Sequence, residues 1–226
     1  MIKKSAAAWS LSLCAFLLPE GEVNAQAAQA PKFQEGVHYS AIENAPATTT
    51  PKVKVVEAFS YMCTHCADFE PYVTNWKGRQ ADNIEFLRFP VIFGRSSWEL
   101  YARAYVTAEI MGIADKAHNP LMDKLWKEKT ILKTMEELGS FYAGFGAVPA
   151  EFVATSKSFA VDAKLRKEQR DLQLANIRGT PSLVINDKYV VASNAAVANF
   201  QMMLEVTDFL IAKELSAHAA ASPAAR

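Results

Sequence analysis

The chain has 226 residues, of which 50% are hydrophobic and 21% are charged, so it can bury a core and is not a disordered chain. Its 24 Lys and Arg balance 24 Asp and Glu, which argues against a nucleic-acid-binding protein because such proteins carry a basic excess. Three Cys and four His are too few for several zinc sites or for iron–sulfur clusters. The length suits one domain, or one domain with a large insertion.

The first 27 residues have the pattern of a secretory signal peptide. Two lysines precede an apolar stretch over residues 6–18, and small residues follow it. This order predicts export, with cleavage near Ala25 or Ala27, and a buried N-terminal helix is the alternative. Cleavage would remove Cys14 and leave two cysteines in a compartment where disulfides persist.

Three strands are predicted before the long helical part of the chain. Residues 37–42 form an edge strand after a start rich in Ala, Pro and Thr. Residues 53–60, VKVVEAFS, are β-branched and apolar and predict a buried strand, which a helix follows to about Lys77. Residues 84–93, IEFLRFPVIF, alternate in polarity and predict a strand whose ladder Pro90 shortens.

Residues 97–177 have helical periodicity. Trp98, Tyr101 and Tyr105 recur on one face of a helix, and we expect this aromatic face to pack in the core rather than to line a ligand site. Further helices are predicted from Asn119-Pro120 to Lys127 and over residues 134–142, 149–154 and 158–176.

After these helices the period changes to that of strands. Residues 182–186 and 188–192 flank an Asn-Asp pair, which predicts a β-hairpin. Residues 195–215 predict a last amphipathic helix, and the Ala-rich tail from Ser216 is expected to fray.

The sequence Cys63-Thr64-His65-Cys66 follows the buried strand and opens a helix, and its two cysteines can close a small disulfide ring. The unpaired N–H groups and partial positive charge of a helix N-terminus stabilise a thiolate, so we expect the pKa of Cys63 to fall. A protonated His65 would add a positive charge beside it. Stabilising the thiolate stabilises the reduced pair, which makes the disulfide a stronger oxidant. The motif therefore predicts a redox-active disulfide that is passed to substrates.

Other uses of this motif fit the sequence less well. A zinc site would need a second pair of ligands, which the cysteines of the exported chain do not supply. A c-type haem site would need a histidine at position 67, where Ala67 stands. A structural bridge across four residues closes a very short loop and would stabilise the fold little.

Several residues near the motif have two interpretations. Glu57 lies inside the apolar strand, where a carboxylate is costly unless it is paired or protonated. It is either a half-exposed strand residue or a proton acceptor beneath Cys66 with a pKa raised by desolvation. Pro71 either kinks or ends the helix. His38 and His118 have no identifiable partners and are expected at the surface or as caps.

The chain resembles the DsbA family of thiol:disulfide interchange proteins. The resemblance rests on VVEAFSYMCTHCADFEP and on Gly179-Thr180-Pro181, and it extends from about Phe33 to Leu215. It implies an α/β, thioredoxin-like fold with an inserted helical domain. Residues 1–27 would be a cleaved signal peptide, residues 28–96 and 178–215 the thioredoxin-like domain, residues 97–177 the inserted helical domain and residues 216–226 a flexible tail.

The resemblance also implies roles and partners. Cys63 matches the nucleophile, Cys66 its buried partner, His65 the histidine that stabilises the thiolate, Glu57 the buried acid, and Thr180-Pro181 the cis-proline loop that binds substrate backbone. The implied partners are reduced, unfolded secreted proteins and a membrane quinone-linked oxidase of the DsbB type. A monomer in the periplasm is expected, with no cofactor, no metal and no nucleic acid.

Two departures from the family pattern leave the direction of exchange open. The best-known central dipeptide of the family is Pro-His, whereas this chain has Thr64-His65. The residue before the cis-proline is often Val in strong oxidants, and Thr180 is more familiar from isomerases and reductases. A reductase or isomerase of the same fold is therefore one alternative, and a copper or zinc carrier that uses the two thiolates with His65 is another.

Overall fold

The computed structural model describes residues 31–45, 52–80 and 82–221. The predicted signal peptide, residues 1–27, lies outside this part of the chain, and so do residues 222–226 of the predicted tail. The described part contains seven α-helices and a five-stranded sheet. None of its helices is both long and apolar enough to cross a membrane.

The five strands form one mixed sheet in the order β1–β5–β4–β2–β3. They are β1 (Ser40–Ala41), β2 (Val53–Phe59), β3 (Ile84–Pro90), β4 (Ser182–Ile185) and β5 (Tyr189–Ala192). β2 and β3 are parallel, and the other neighbouring pairs are antiparallel. β4 and β5 form the predicted hairpin, whose turn residues Asn186 and Asp187 both have the positive φ of a type I′ turn, 55° and 57°.

Five of the seven helices lie between β3 and β4 in the chain. The helices are α1 (Thr64–Arg79), α2 (Ser96–Ile110), α3 (Ala114–Trp126), α4 (Met135–Tyr142), α5 (Pro149–Ser156), α6 (Phe159–Leu174) and α7 (Phe200–Ala221). Thr134 and Ser158 cap α4 and α6, because their side-chain oxygens accept backbone N–H groups three residues later. These caps fix where the two helices begin.

Both faces of the sheet are covered by helices, because alternate residues of a strand point to opposite faces. Val55 of β2 belongs to an apolar cluster with α1 and α7, in which Trp76 and Val206 are fully buried. Val56 belongs to a cluster on the other face with Leu172 of α6. Glu57 follows the alternation of Val55 and so points toward α1. The packing of α1 on this face of the sheet thus fixes the start of the helix next to the carboxyl end of β2.

The helices between β3 and β4 build a third apolar cluster. Tyr101, Leu121 and Leu138 are buried in it, and Phe59 at the end of β2 belongs to the same cluster. Cys66 of α1 also belongs to it. The second cysteine of the motif is therefore packed where the sheet meets these helices.

The start of α3 differs from the prediction. The helix begins at Ala114 and runs through Asn119-Pro120, which the sequence predicted as its first residues. Its buried residues, among them Ala117 and Leu121, recur at spacings of three and four. Most helical stability comes from packing an apolar face. The apolar face of α3 therefore extends the helix on the N-terminal side of Pro120, although proline favours the first position of a helix.

The bounds of α7 also differ from the prediction. The helix begins at Phe200 rather than Ala195, because the side-chain oxygen of Asn199 accepts the N–H of Met202 at 2.8 Å and caps the helix there. It then continues to Ala221, where the sequence predicted a frayed tail. Alanine is the strongest helix former, so an Ala-rich segment extends a helix that packing has already nucleated.

Pro71 lies inside a helix, whereas Pro90 ends a strand. α1 runs through Pro71 from Thr64 to Arg79, so this proline does not end the helix. β3 ends at Pro90, three residues before the predicted end at Phe93. Phe93 has a φ of 49°, which lies in the left-handed region and takes the backbone out of a strand.

Candidate active site

The two cysteines of the motif stand at the start of α1 with very different exposure. Cys63 is the N-cap residue of the helix and is half-buried, whereas Cys66 is fully buried one turn further on. Both are free thiols, so the structure shows the dithiol form. A turn leads into the helix, in which Cys63 N–H donates to the Ser60 carbonyl at 3.1 Å. The Cys63 sulfur is therefore accessible to a substrate thiol, and the buried Cys66 sulfur is not.

The pKa of Cys63 is lowered from its ordinary value near 9 to about 5. The largest cause is a hydrogen bond from the Cys66 thiol to the Cys63 sulfur, and burial opposes it. The Thr180 side chain and the backbone N–H groups of His65 and Cys66 lower the pKa further. In the protonated form the Cys63 thiol donates to the Thr180 carbonyl at 3.4 Å, which favours the thiol. The donors outnumber this one acceptor, so the thiolate is the favoured form at neutral pH.

The pKa of Cys66 is raised far above its ordinary value. Burial is the largest cause, and the neighbouring Cys63 and Glu57 add to it. Cys66 therefore stays protonated at neutral pH, and it needs a base before it can attack a disulfide. The pair consists of one stable thiolate and one stable thiol.

Glu57 is fully buried and is ion-paired, which excludes the half-exposed interpretation. It lies directly beside Arg88 in the register of β2 and β3, and Arg88 Nε donates to Glu57 Oε2 at 2.9 Å. Burial raises the pKa of Glu57, while the Arg88 charge opposes that rise and Glu70 adds to it. Its other oxygen, Oε1, has no hydrogen-bond partner among the described residues. One side-chain oxygen of Glu57 is thus bound by Arg88, and the other has no hydrogen-bond partner in the described part of the chain.

Arg88 joins Glu57 to a larger buried network that the sequence analysis missed. Arg88 Nη2 donates to Glu70 Oε1 at 2.7 Å, and Glu70 Oε2 lies 3.1 Å from His118 Nε2. The other ring nitrogen of His118 lies 3.0 Å from the Tyr61 hydroxyl. The arginine within an apolar strand was the available signal, because a buried guanidinium needs a carboxylate partner.

His118 is buried, so the expectation of a surface or capping role is wrong. Only 1% of its surface is exposed, and it packs edge-on against Phe59. Burial and the nearby Arg88 charge lower the pKa of His118 well below its ordinary value. A neutral imidazole has one donor and one acceptor, which suits a ring that donates to Glu70 and accepts from Tyr61.

The Thr180 carbonyl lies 3.4 Å from the Cys63 sulfur, and Pro181 follows Thr180 in the loop. The peptide bond between them is cis, as the resemblance implies. His65 is exposed and lines the same groove, and the contact of this residue that lowers the pKa of Cys63 is its backbone N–H. Among the described residues, no three His, Cys, Asp or Glu side chains are grouped as metal ligands.

A groove of about 1000 Å³ lies beside the cysteine motif, and its lining includes His65 of the motif together with Thr180-Pro181. The start of α7, at Phe200 and Met202, also lines the groove. Tyr72 of α1 forms part of its wall and is 47% exposed. A groove of this volume can accommodate a short peptide segment, and its walls are partly apolar.

Comparison with known proteins gives one consistent family. The model of the DSBA-like thioredoxin domain matches residues 74–205. The chain is 32% identical to a thiol:disulfide interchange protein DsbA of Pseudomonas aeruginosa over 84% of this chain and 90% of the relative. It is 34% identical to a DsbA of Azotobacter vinelandii over 76% of this chain and 79% of the relative.

Solved structures agree with this result. The oxidoreductase DsbA from Xylella fastidiosa superposes with a TM-score of 0.74 at 31% identity, covering 79% of this chain and 96% of that structure. A Pseudomonas aeruginosa DsbA structure gives a TM-score of 0.74 at 31% identity, covering 82% and 96% of the two chains. The α/β, thioredoxin-like fold class predicted from the sequence is confirmed.

Proposed function

Since the chain belongs to the DsbA family of thiol:disulfide interchange proteins and is a thiol:disulfide oxidoreductase, we propose that it acts as a disulfide donor. The observation that carries this proposal is the set of contacts at the N-cap of α1, where the Cys66 thiol and the backbone N–H groups of His65 and Cys66 lower the pKa of Cys63 to about 5. A stable thiolate stabilises the reduced pair, so the oxidised pair gives up its disulfide readily. The Thr180 side chain lowers this pKa too, which supports the donor direction despite the isomerase-like residue at that position.

The proposed reaction has two exchange steps. A substrate thiolate attacks Cys63 Sγ, the Cys63–Cys66 bond breaks, and Cys66 leaves as a thiolate that takes up a proton. The second substrate thiolate then attacks the substrate sulfur of the mixed disulfide, and Cys63 leaves as its stable thiolate. The substrate is oxidised by two electrons and the enzyme pair is reduced by two; one thiol proton ends on Cys66 and the other goes to water.

Glu57 is proposed as the group that exchanges the proton with Cys66. Its raised pKa allows it to hold a proton, and it is close enough to influence the pKa of Cys66. The unpartnered oxygen Oε1 supports this role, because the other oxygen is bound by Arg88. Arg88 is proposed as the positioning residue that keeps the carboxylate in this orientation.

Substrate binding is proposed along the groove, with its backbone beside Thr180 and Pro181. An extended segment placed there would lie next to the Cys63 sulfur and against the apolar side chains of Tyr72 and Phe200. Such contacts accept many sequences, which suits a protein that acts on unfolded chains. His65 at the groove entrance is proposed to add positive charge beside the thiolate when it is protonated.

The remaining assignments extend the family resemblance. We propose a periplasmic monomer, exported by the signal peptide of residues 1–27, that a DsbB-type oxidase re-oxidises. Residues 97–177 are proposed as a helical domain inserted between residues 28–96 and 178–215 of a thioredoxin-like domain. The single sheet that joins β2 and β3 to β4 and β5 supports this division.

The test is the reaction of the oxidised protein with a reduced peptide that contains two cysteines. Mass spectrometry should show a peptide disulfide and a reduced Cys63–Cys66 pair in equal amounts. The Cys66→Ser variant, loaded as a mixed disulfide with a peptide that contains a single cysteine, should hold the peptide on Cys63, because neither a second peptide thiol nor Cys66 can release it. Oxidation of the peptide by the Cys63→Ser variant would show that the proposed mechanism is wrong.

A further inference from the structure

Arg178 is a cation in the substrate groove for which residues 31–45, 52–80 and 82–221 supply no carboxylate partner. Its side chain is exposed and lines the groove two residues before Thr180. Within the part of the chain that the structure describes, the side-chain contact that orients it is a hydrogen bond from Nε to the Asn176 side-chain oxygen at 2.8 Å. This bond fixes one edge of the guanidinium and leaves the Nη groups for a second partner.

The acidic side chain that lines the groove is neutralised within the chain. Glu205 lines the groove near the start of α7, and Lys32 Nζ lies 3.0 Å from its Oε2. The described groove lining thus combines an acid that is paired within the chain with a cation that has no carboxylate partner and that lies two residues before Thr180, whose carbonyl contacts the reactive sulfur. A segment that enters the groove meets a net positive charge next to its reacting cysteine.

The spacing along the cis-proline loop indicates where that charge acts. Cys63 Sγ is 3.4 Å from the Thr180 carbonyl, so the reacting cysteine of a substrate must sit beside Thr180. An extended chain advances by about 3.3 Å per residue. Arg178 precedes Thr180 by two residues, so a substrate that runs alongside this loop would place the residue that faces Arg178 two or three residues from the reacting cysteine.

We infer that Arg178 makes this protein prefer cysteine-containing segments with an acidic side chain two or three residues from the reacting cysteine. The inference rests on the proposed function, because the substrate must bind in this groove. A guanidinium presents paired N–H groups that match the two oxygens of a carboxylate, whereas a lysine at that substrate position would be repelled. Arg178 is thus a specificity-determining residue and takes no part in the exchange of sulfur.

The experiment measures single-turnover oxidation of reduced two-cysteine peptides that differ at one position. Asp, Asn or Lys is placed two and three residues before or after the reacting cysteine. At low salt we expect the Asp peptide to react about fivefold faster than the Lys peptide on one side of the cysteine, with Asn between them. At about 1 M salt the ratio should approach one, because the charge is exposed and is screened.

Variants of Arg178 separate its charge from its structural effect. Arg178→Gln should abolish the preference, Arg178→Glu should reverse it in favour of Lys, and Arg178→Lys should keep it in weaker form. Arg79→Gln is the matched control, because Arg79 also binds an asparagine oxygen, that of Asn75 at 3.0 Å, and does not line the groove. This control should keep the ratio of the unaltered protein.

The outcomes distinguish this inference from the function on which it rests. Equal rates for the Asp and Lys peptides at every position would overturn the role of Arg178, while oxidation of the Asn peptide would still uphold the disulfide donor. An equal loss of preference in Arg79→Gln would also overturn it, because the effect would then come from the overall charge. Failure to oxidise any peptide would overturn the proposed function itself.

Discussion

Glu57 and Arg88 are direct neighbours in the register of the parallel strands β2 and β3, and their side chains form an ion pair of 2.9 Å in the protein interior. Removing two charges from water is costly, so such a pair is weak evidence for added stability. Arg88 also binds Glu70, and one cation therefore serves two buried carboxylates. Burial raises the pKa of Glu57, the Arg88 charge opposes that rise and Glu70 adds to it, which prepares Glu57 for proton exchange near Cys66.

Replacement of Arg88 by Met is expected to destabilise the protein strongly. The change leaves Glu57 and Glu70 buried without a cation, and breaking a buried pair in this way costs about 3–5 kcal/mol. Urea unfolding of the oxidised protein at neutral pH measures the loss. The loss should shrink at mildly acidic pH, where both carboxyls are protonated. A decrease below about 1 kcal/mol at neutral pH would contradict the role given to Arg88.

The Glu57→Gln variant is expected to slow the reactions in which Cys66 attacks. Without a base, the Cys66 thiol keeps its proton, and loss of a positioned general base typically slows a step by about 10²-fold or more. The measurement is the release of glutathione from a Cys63–glutathione mixed disulfide after mixing. The pKa of Cys63 is the internal control, and it should stay near 5 because the groups at the start of α1 set it. A rate within twofold of the unaltered protein would rule out the proposed role.

The stability of the reduced protein is expected to depend on pH through Cys63. The folded pKa, about 5, lies below the unfolded value near 9, so between these values the unfolded chain binds the additional proton. The stabilisation that the Cys63 thiolate gives the folded protein is thus fully present above pH 9 and is lost as the pH falls toward 5. We expect a slope of up to about 1 kcal/mol per pH unit, since solvent screens a half-exposed group. Comparison with Cys63→Ser isolates this slope, and equal slopes would contradict a lowered pKa.

Glu168 of α6 is expected to make the stability of the protein depend on pH in the opposite direction. It is buried, Lys164 lies 2.7 Å away, and burial raises its pKa from 4.5 to about 7. The folded protein therefore binds the additional proton between pH 4.5 and 7, and stability falls as the pH rises through this range. Glu168→Gln should remove the fall and stabilise the protein by roughly 1–3 kcal/mol at pH 8.

Urea unfolding across this pH range, in the oxidised state, measures the effect of Glu168. Glu109 also lies near Lys164, at 3.3 Å, so the lysine keeps a partner in the variant. A variant less stable than the unaltered protein at pH 8 would show that the Lys164 pair outweighs the desolvation of Glu168.

The local parts of the candidate site could be predicted from the sequence. The apolar run before Cys63 indicates the strand, the spacing to Cys66 indicates the pair, and the hairpin after Pro181 follows from its turn residues. These signals involve neighbours in the chain, which propensity and periodicity report directly. The structure brings Thr180 to the Cys63 sulfur, a contact between positions far apart in sequence that only the family resemblance anticipated.

The buried network could not be predicted in the same way. Glu57 and Arg88 meet because of strand register, and Glu70 meets His118 because α3 packs against α1. Neither register nor helix packing leaves a signal at one position. His118 looked unpartnered in the sequence because its partners, Glu70 and Tyr61, come from other elements. The early start of α3 places His118 in mid-helix, which the proline signal at Pro120 concealed.

The most direct test of the account is the equilibrium of the Cys63–Cys66 pair with a glutathione redox buffer, with thiolate absorbance followed through a pH titration. The account predicts a reduction potential well above that of thioredoxin, which is about −270 mV, and a pKa of about 5 for Cys63. A thioredoxin-like potential with a Cys63 pKa near its ordinary value would contradict the disulfide donor and would indicate a reductase.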